Sequence, residues 1–313
     1  MVTVKRFSKT NSQQWDEFIA TSKNGTFLFN RDYMDYHADR FADHSLLFFN
    51  NEELQAVLPA SEKDQVLNSH AGLTFGGMIM NHRASSTFIL QAFDGLLTYM
   101  RSIGLSRLVY KCIPYIYHRL PAQEDLYALF RLNAVLIRRD LSSVIVLSRP
   151  LNYTKGTKSN LSKARKNSLR IEQSTDFETF MEIEKEILRS KYGTNPTHST
   201  EEIRLLANKF PDKIKLYMIY HDQTCLGGCI IYETETVAHS QYIGINEDGK
   251  QMGALDFLID YLLSHYSQTH KYFSFGISTV KDGVELNEGL IKNKESFGAR
   301  AVVHDFYKID LIE

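Results

Sequence analysis

Lys271-Tyr-Phe-Ser-Phe-Gly-Ile277 followed, after a polar loop, by Gly289-Leu-Ile-Lys-Asn-Lys-Glu-Ser-Phe-Gly298 is the stretch on which the fold of this sequence turns. The first part is a short apolar run of strand character, and the second has helical spacing. On that helix Leu290, Lys294 and Phe297 fall at i, i+4 and i+7 and share one face, while Lys292, Asn293, Glu295 and Ser296 point elsewhere. Gly298 is the expected C′ residue that stops the helix. Lys294 is therefore a cation on an otherwise apolar face. Either its stem packs at the rim of the core with the ammonium in water, or the ammonium is aimed into a cleft beside the end of a central strand.

Upstream of this stretch the pattern reads as strand 215–220, a turn, a returning strand 225–232, and a third strand 237–245. A helix over 253–267 follows, with Leu255, Leu258, Ile259 and Leu262 facing in, and then the strand 272–277. The first half repeats the order: strand 45–49, turn, strand 54–60, a third strand near 74–80, a helix over 85–103, and strand 108–113. Ile89, Phe93, Leu96 or Leu97, and Met100 face inward on that helix. The offset is about 165 residues, and residue identity between the halves is poor, so architecture repeats rather than sequence. Each half is then an α/β unit with a mixed, mostly antiparallel sheet flanked by helices. The join is expected near Arg149-Pro150, giving domains 1–149 and 150–313 with the active site in the second.

A length of 313 residues supports two such domains, each large enough for its own core. A formal net charge of −1 argues against dependence on bulk attraction to nucleic acid or membrane, so no DNA partner is expected. No signal-peptide pattern opens the chain and no apolar run approaches bilayer length, so a cytoplasmic protein without membrane insertion is expected. Cys112, Cys225 and Cys229 are odd in number and lack pairing spacing, so they read as reduced core thiols with no metal.

Several segments could carry chemistry. Gly244-Ile-Asn-Glu-Asp-Gly-Lys-Gln-Met-Gly-Ala254 lies between a strand and its helix, where glycines let N–H groups approach a phosphate and Lys250 adds a charge. An ordinary flexible connection is the other reading. The matching connection of the first half, Asn81-His-Arg-Ala-Ser-Ser86, has no glycine. Between Thr154 and Arg170 stand Lys155, Lys158, Lys163, Arg165, Lys166 and Arg170 with no acid among them, either a phosphate-contacting run or a solvated helix face. Arg189-Ser-Lys-Tyr-Gly-Thr-Asn-Pro-Thr-His198 joins two helices, and Ser199 with Glu202 forms a capping box, which sets Tyr192 and His198 in a loop able to line a cleft. Ser69-His-Ala-Gly-Leu-Thr-Phe-Gly-Gly77 reads as a bulged strand with close backbone approach, and Tyr110–His118 gathers three tyrosines around a proline. No nucleophile elbow, Walker A loop, zinc helix or CxxC pair is present.

The second half resembles the GNAT acyltransferase fold, and the whole chain resembles the FemAB-like branch, in which two GNAT-like domains stand in tandem. Three places carry the resemblance: Leu161-Ser-Lys-Ala-Arg-Lys-Asn-Ser-Leu-Arg170, the strand ending Phe273-Ser-Phe-Gly276, and Gly289–Gly298, which is similar to G-L-x-x-F-K-x-x-F-G with Lys294 on the family lysine and Asn293 replacing the phenylalanine. The resemblance implies that Lys294 stabilises the transferring acyl group. It implies an N-acyltransferase that moves an acyl group from an activated donor to an amine of a small molecule, a nucleotide-linked amine or a cell-envelope precursor. Acyl-CoA is the favoured co-substrate, with no metal. Gly249, Lys250, Gly253 and Ala254 would hold the donor phosphates, Tyr192, His198 and Tyr242 would contact the acceptor, and a backbone N–H near Tyr242–Gly244 would face the oxyanion. Two departures stand out. Lys250-Gln-Met-Gly-Ala-Leu255 replaces Q/R-x-x-G-x-G/A, and no tyrosine lies between Gly276 and Gly298. A tRNA-dependent aminoacyl transferase of the Fem type and a tandem-GNAT binding protein without catalysis are the alternatives.

Overall fold

The computed structural model describes residues 2–149 and 153–311. The chain forms two compact units, one of Met1–Leu141, Thr279–Glu285 and Val303–Glu313, the other of Ser142–Ser278 and Leu286–Val302. The division thus falls at 141/142, whereas the sequence suggested 149/150; Pro150 itself lies outside the described residues. The reason is strand pairing. The end of Arg300–Asp310 pairs antiparallel with Arg107–Lys111, which makes that strand part of the first unit, and Ser142–Val146 pairs with Tyr272–Ile277 of the second.

In the first unit Val2–Arg6, Leu46–Asn50, Glu53–Leu58 and Ile79–Met80 form a four-stranded antiparallel sheet in that order. A second set joins the hairpin Ser61–Lys63 and Val66–Asn68 to Arg107–Lys111, which runs parallel to the latter. Helix Ser86–Ser102 buries Ile89, Phe93, Leu96, Leu97 and Met100, the face expected from its periodicity. These side chains join Leu46, Phe48, Ala56 and Leu108 in one core cluster. The strand expected over 74–80 shrinks to two residues. At Gly76 the backbone passes so close to Ser69 that a Cβ would lie 1.7 Å from its carbonyl oxygen.

In the second unit Arg170–Ser174, Ile214–His221, Thr224–Glu233 and Val237–Ile245 are successive antiparallel neighbours. Tyr272–Ile277 adds parallel to the last, and Ser142–Val146 adds antiparallel to Tyr272–Ile277. Alternation along a strand separates the two faces. Gly228 lies against Phe180, so helix Phe177–Tyr192 covers one face. Cys229, its neighbour, clusters with Ala164, Leu258, Ile259, Leu262 and Phe297 on the other. That second face therefore carries helices Lys155–Lys166 and Ala254–Tyr266, with Phe297 just after helix Glu288–Ser296. Cys112 and Cys229 are buried free thiols and Cys225 is half-buried.

Candidate active site

The parallel strands Val237–Ile245 and Tyr272–Ile277 are paired only over Val237–His239 and Tyr272–Ser274. Beyond that point they part. On one side a bulge intervenes: Ile230 opposes Tyr242 and Ile231 opposes Ser240, which leaves Gln241 as the extra residue. On the other side Gly276 takes φ 72°, and the pairing with Ser142–Val146 shifts between Ser274 and Ile277. The last paired point is pinned, since Ser240 Oγ donates to the Ser274 carbonyl at 3.2 Å and His239 Nδ1 lies 3.1 Å from Ser274 Oγ. Parted strands present backbone groups that have lost ladder partners. Asn246 N–H donates to the Leu226 carbonyl, in register with the Gly228–Gly244 pair. The alternation of an antiparallel ladder then directs the Ile243 N–H away from Thr224–Glu233, toward the parted edge.

Lys294 sits at the end of the parted strand. Helix Glu288–Ser296 begins at Asn287, whose side chain accepts the Leu290 N–H, and buries Ile291 and Lys294. Leu290, expected to share that buried face, is only half-buried. Gly298 takes φ 88°, as a helix-stopping glycine should. The Lys294 ammonium donates to the carbonyls of Gly276 at 2.9 Å and Ile277 at 2.8 Å. The residue is only 6% exposed, and burial alone pushes its pKa down to about 8. This is a desolvated cation held by two backbone dipoles, without a carboxylate partner among the described residues.

Across the parted region Tyr242 and His198 come together. The Tyr242 hydroxyl accepts the His198 N–H at 3.1 Å and lies 2.7 Å from His198 Nδ1, with both side chains buried. His198 is fixed because Ser199 begins helix Thr200–Lys209 with the expected capping box, Glu202 Oε2 accepting the Ser199 N–H at 2.8 Å. Tyr192 ends helix Phe177–Tyr192, and its side chain lies outside the described residues.

One group was missed from the sequence. Glu184 stands on the inner face of helix Phe177–Tyr192 with Phe177, Phe180 and Met181, and is 6% exposed. Its Oε2 has no hydrogen-bond partner among the described residues, and burial pushes its pKa up to about 7. A Cβ at Gly244 would lie 2.5 Å from that oxygen, so the glycine leaves room for the carboxyl. The signal was available, because Phe177, Phe180, Met181 and Glu184 have core spacing and an acid on that face is as anomalous as Lys294.

With this geometry in place, comparison with known proteins is direct. Residues 154–282 match the family model described as an acetyltransferase (GNAT) domain. FemX superposes with a TM-score of 0.66 at 11% identity, over 97% of this chain and 96% of its own. The C-terminal domain of a putative lysylphosphatidylglycerol synthetase from Agrobacterium fabrum gives 0.63 at 10% identity, over 98% and 93%. A tandem GNAT protein from the clavulanic acid biosynthesis pathway gives 0.51 at 10% identity, over 100% and 99%. Over nearly its whole length the chain shares the fold of these structures. No curated protein matches its sequence. Residues 154–282 thus carry the likeness to an acetyltransferase domain, and the architecture is the mixed α/β one expected from the element order.

Within this GNAT unit the segment expected as a glycine loop is helical. Glu247–Met252 forms a short helix whose Asn246 cap accepts the Gly249 N–H at 2.9 Å. Gly249 packs against Ile245 and Leu226, Ala254 is in the core, and Gly253 takes φ 79° between two helices with Asn160 pressed against it. Lys250 pairs with Glu247 at 2.5 Å. Glu247 and Asp248 occupy the first turn, where phosphate would meet like charge. Lys155, Lys158, Lys163, Arg165 and Lys166 of the basic run form the exposed face of helix Lys155–Lys166, with Thr157, Leu161 and Ala164 turned inward, and Arg170 begins the strand Arg170–Ser174. Among the described residues no group of three or more His, Cys, Asp or Glu is placed to hold a metal ion, and no helix is long and apolar enough to cross a membrane.

Proposed function

We propose that the second unit catalyses N-acyl transfer, with the activated acyl group seated where strands Val237–Ile245 and Tyr272–Ile277 part and an acceptor amine attacking it directly. The observation that carries this reading is Lys294, a buried ammonium anchored on the Gly276 and Ile277 carbonyls at the end of the parted strand. An acyl group lying between the strands, with its carbonyl in the sheet plane, could direct its oxygen to the Ile243 N–H. A preorganised donor of this kind contributes about 10²–10³ in rate, and a nearby desolvated cation adds to the stabilisation of negative charge. Attack on a carbonyl comes perpendicular to its plane, hence from one face of the sheet. The face under helix Phe177–Tyr192 offers His198 and Tyr242 as acceptor contacts, while helix Glu288–Ser296 brings Lys294 from the other. Holding both reactants in this way removes much of the entropic part of the barrier.

The donor remains a choice between acyl-CoA and aminoacyl-tRNA. The GNAT domain match favours acyl-CoA, for which Gly249, Lys250, Gly253 and Ala254 are the candidate phosphate contacts. The acidic first turn of Glu247–Met252 and the exposed Lys155, Lys158, Lys163 and Lys166 favour a polyanionic donor bound elsewhere, as aminoacyl-tRNA would be. The acceptor is an amine of a small molecule, a nucleotide-linked amine or a cell-envelope precursor. The likeness to a domain named for synthesis of an aminoacyl lipid adds lipid-linked acceptors to the trial set.

A thermal-shift series with acetyl-CoA, longer acyl-CoAs, free coenzyme A and aminoacyl-tRNA tests the proposal. A ligand at 100 times its Kd stabilises the native state by about 2.7 kcal/mol. A shift with acyl-CoA assigns a CoA donor. A shift with aminoacyl-tRNA alone assigns Fem-type chemistry. No shift with any donor defeats acyl transfer and leaves the non-catalytic binding protein.

A further inference from the structure

We propose that Glu184 is the base that takes the proton from the attacking amine, an inference that rests on the acyl-transfer reading and deepens it. Its position carries the argument. Glu184 lies over Gly244, within the stretch of Val237–Ile245 that has already parted from Tyr272–Ile277, and on the sheet face from which attack would come. The absence of a side chain at Gly244 brings the Oε2 atom down onto the strand. Burying a carboxyl without a partner costs several kcal/mol in reference systems, so an acid kept on an apolar helix face demands a use other than packing.

The groups around it support that use. The titratable side chain facing Glu184 is Tyr242, on the strand beneath, while the Cys229 thiol of the next strand points to the opposite face of the sheet. Burial alone raises the carboxyl pKa to about 7. A base works best when its pKa lies near the operating pH, and this one is divided between acid and carboxylate at neutrality. The rival base, His198, has Nδ1 engaged with the Tyr242 hydroxyl at 2.7 Å.

The step balances simply. The amine lone pair forms the C–N bond, and one proton passes from that nitrogen to Glu184 Oε2. The bond from the acyl carbon to the donor sulfur or oxygen then breaks, and its electron pair leaves with that atom. Glu184 returns its proton through water to the departing group, which regenerates the carboxylate.

Glu184→Gln tests the assignment in the full-length protein, with acetyl-CoA or aminoacyl-tRNA as donor and two amines as acceptors: glycinamide, and hydroxylamine, a weakly basic nucleophile that is neutral at pH 7. General-base assistance is worth about 10²–10⁴-fold, so kcat with glycinamide should fall within that range while donor-induced thermal shifts match the wild type. Expressed per free amine, which removes glycinamide's own ionisation, the wild-type rate should rise as pH passes through about 7, and Glu184→Gln should lose that limb. The deficit should be much smaller with hydroxylamine, which has less need of a base. Glu184→Asp, which keeps the acid on a shorter stem, should restore the pH limb in part. Equal losses with both amines, or a pH limb that survives in Glu184→Gln, overturn the assignment and leave acyl transfer standing. A wild type silent with both donors and both amines overturns the two together.

Discussion

The two units follow one order of elements and treat the same junction in opposite ways. In the first, Ile79–Met80 and Arg107–Lys111 correspond to the parted strands of the second, but they belong to different sheets. Between them stands Tyr110, fully buried, whose hydroxyl accepts the Met78 N–H at 2.6 Å and donates to Asp125 at 2.7 Å. In the second unit the strands pair for three residues and then separate, with Gly276 where a side chain would otherwise project. Around that opening lie a lysine held by two carbonyls and a glutamate oxygen with no hydrogen bond among the described residues. A satisfied hydroxyl closes one junction. Costly, under-satisfied groups surround the other, and buried polar groups of that kind concentrate where chemistry is done.

The contrast can be broken most sharply at Lys294. Lys294→Ala should lower turnover by about 10²–10³-fold, the usual effect of losing one charge-stabilising group, with donor affinity changed far less. Steady-state kinetics beside a donor titration measure both, and unchanged turnover would make Lys294 a strand anchor only. Next in size is the pH dependence of folding stability. The folded pKa of Glu184 is raised from 4.5 to about 7, so its contribution is complete below 4.5 and is lost as pH rises through 7. The loss is on the order of 3 kcal/mol. Denaturant melts from pH 4.5 to 8 should show it in the wild type, and Glu184→Gln should be flatter over the same range. Smallest is Tyr110→Phe, which strips the Met78 N–H and the buried Asp125 of their shared partner. It should cost about 1–3 kcal/mol of stability and leave turnover alone at temperatures where the protein is folded. A large loss of turnover there would mean that the first unit is not a closed counterpart of the second.

Much of this arrangement was legible in the chain, and the parts that were not have physical causes. Val237–Ile245 and Tyr272–Ile277 were placed correctly at both ends because β-branched and aromatic runs there are bounded by clear turns. Lys294 was legible because a cation broke a helical apolar pattern. The parting of the strands was not, since a bulge at Gln241 needs no special residue and is a property of two strands together. Gly249 was legible only as a glycine in a connection, and its packing against Leu226 and Ile245, which leaves no room for a side chain, needed the fold to be seen. Glu184 was not singled out because its helix entered the sequence reading only as a flank of the Arg189–His198 connection, and the chemistry of its inner face was not weighed.

The C-terminal strand has a consequence for biosynthesis. Arg107 and Asp310, joined by an ion pair at 2.5 Å across the last pair of strands in the first unit, are 203 positions apart in the chain. At 5–20 residues per second, a ribosome needs roughly 10–40 s to travel between them. Throughout that interval Arg107–Lys111 waits with one edge unpaired, and an unpaired edge is a template for association with other chains. The nascent first unit keeps that open edge until Arg300–Asp310 has been made, while the intervening second unit has most of its sheet available earlier.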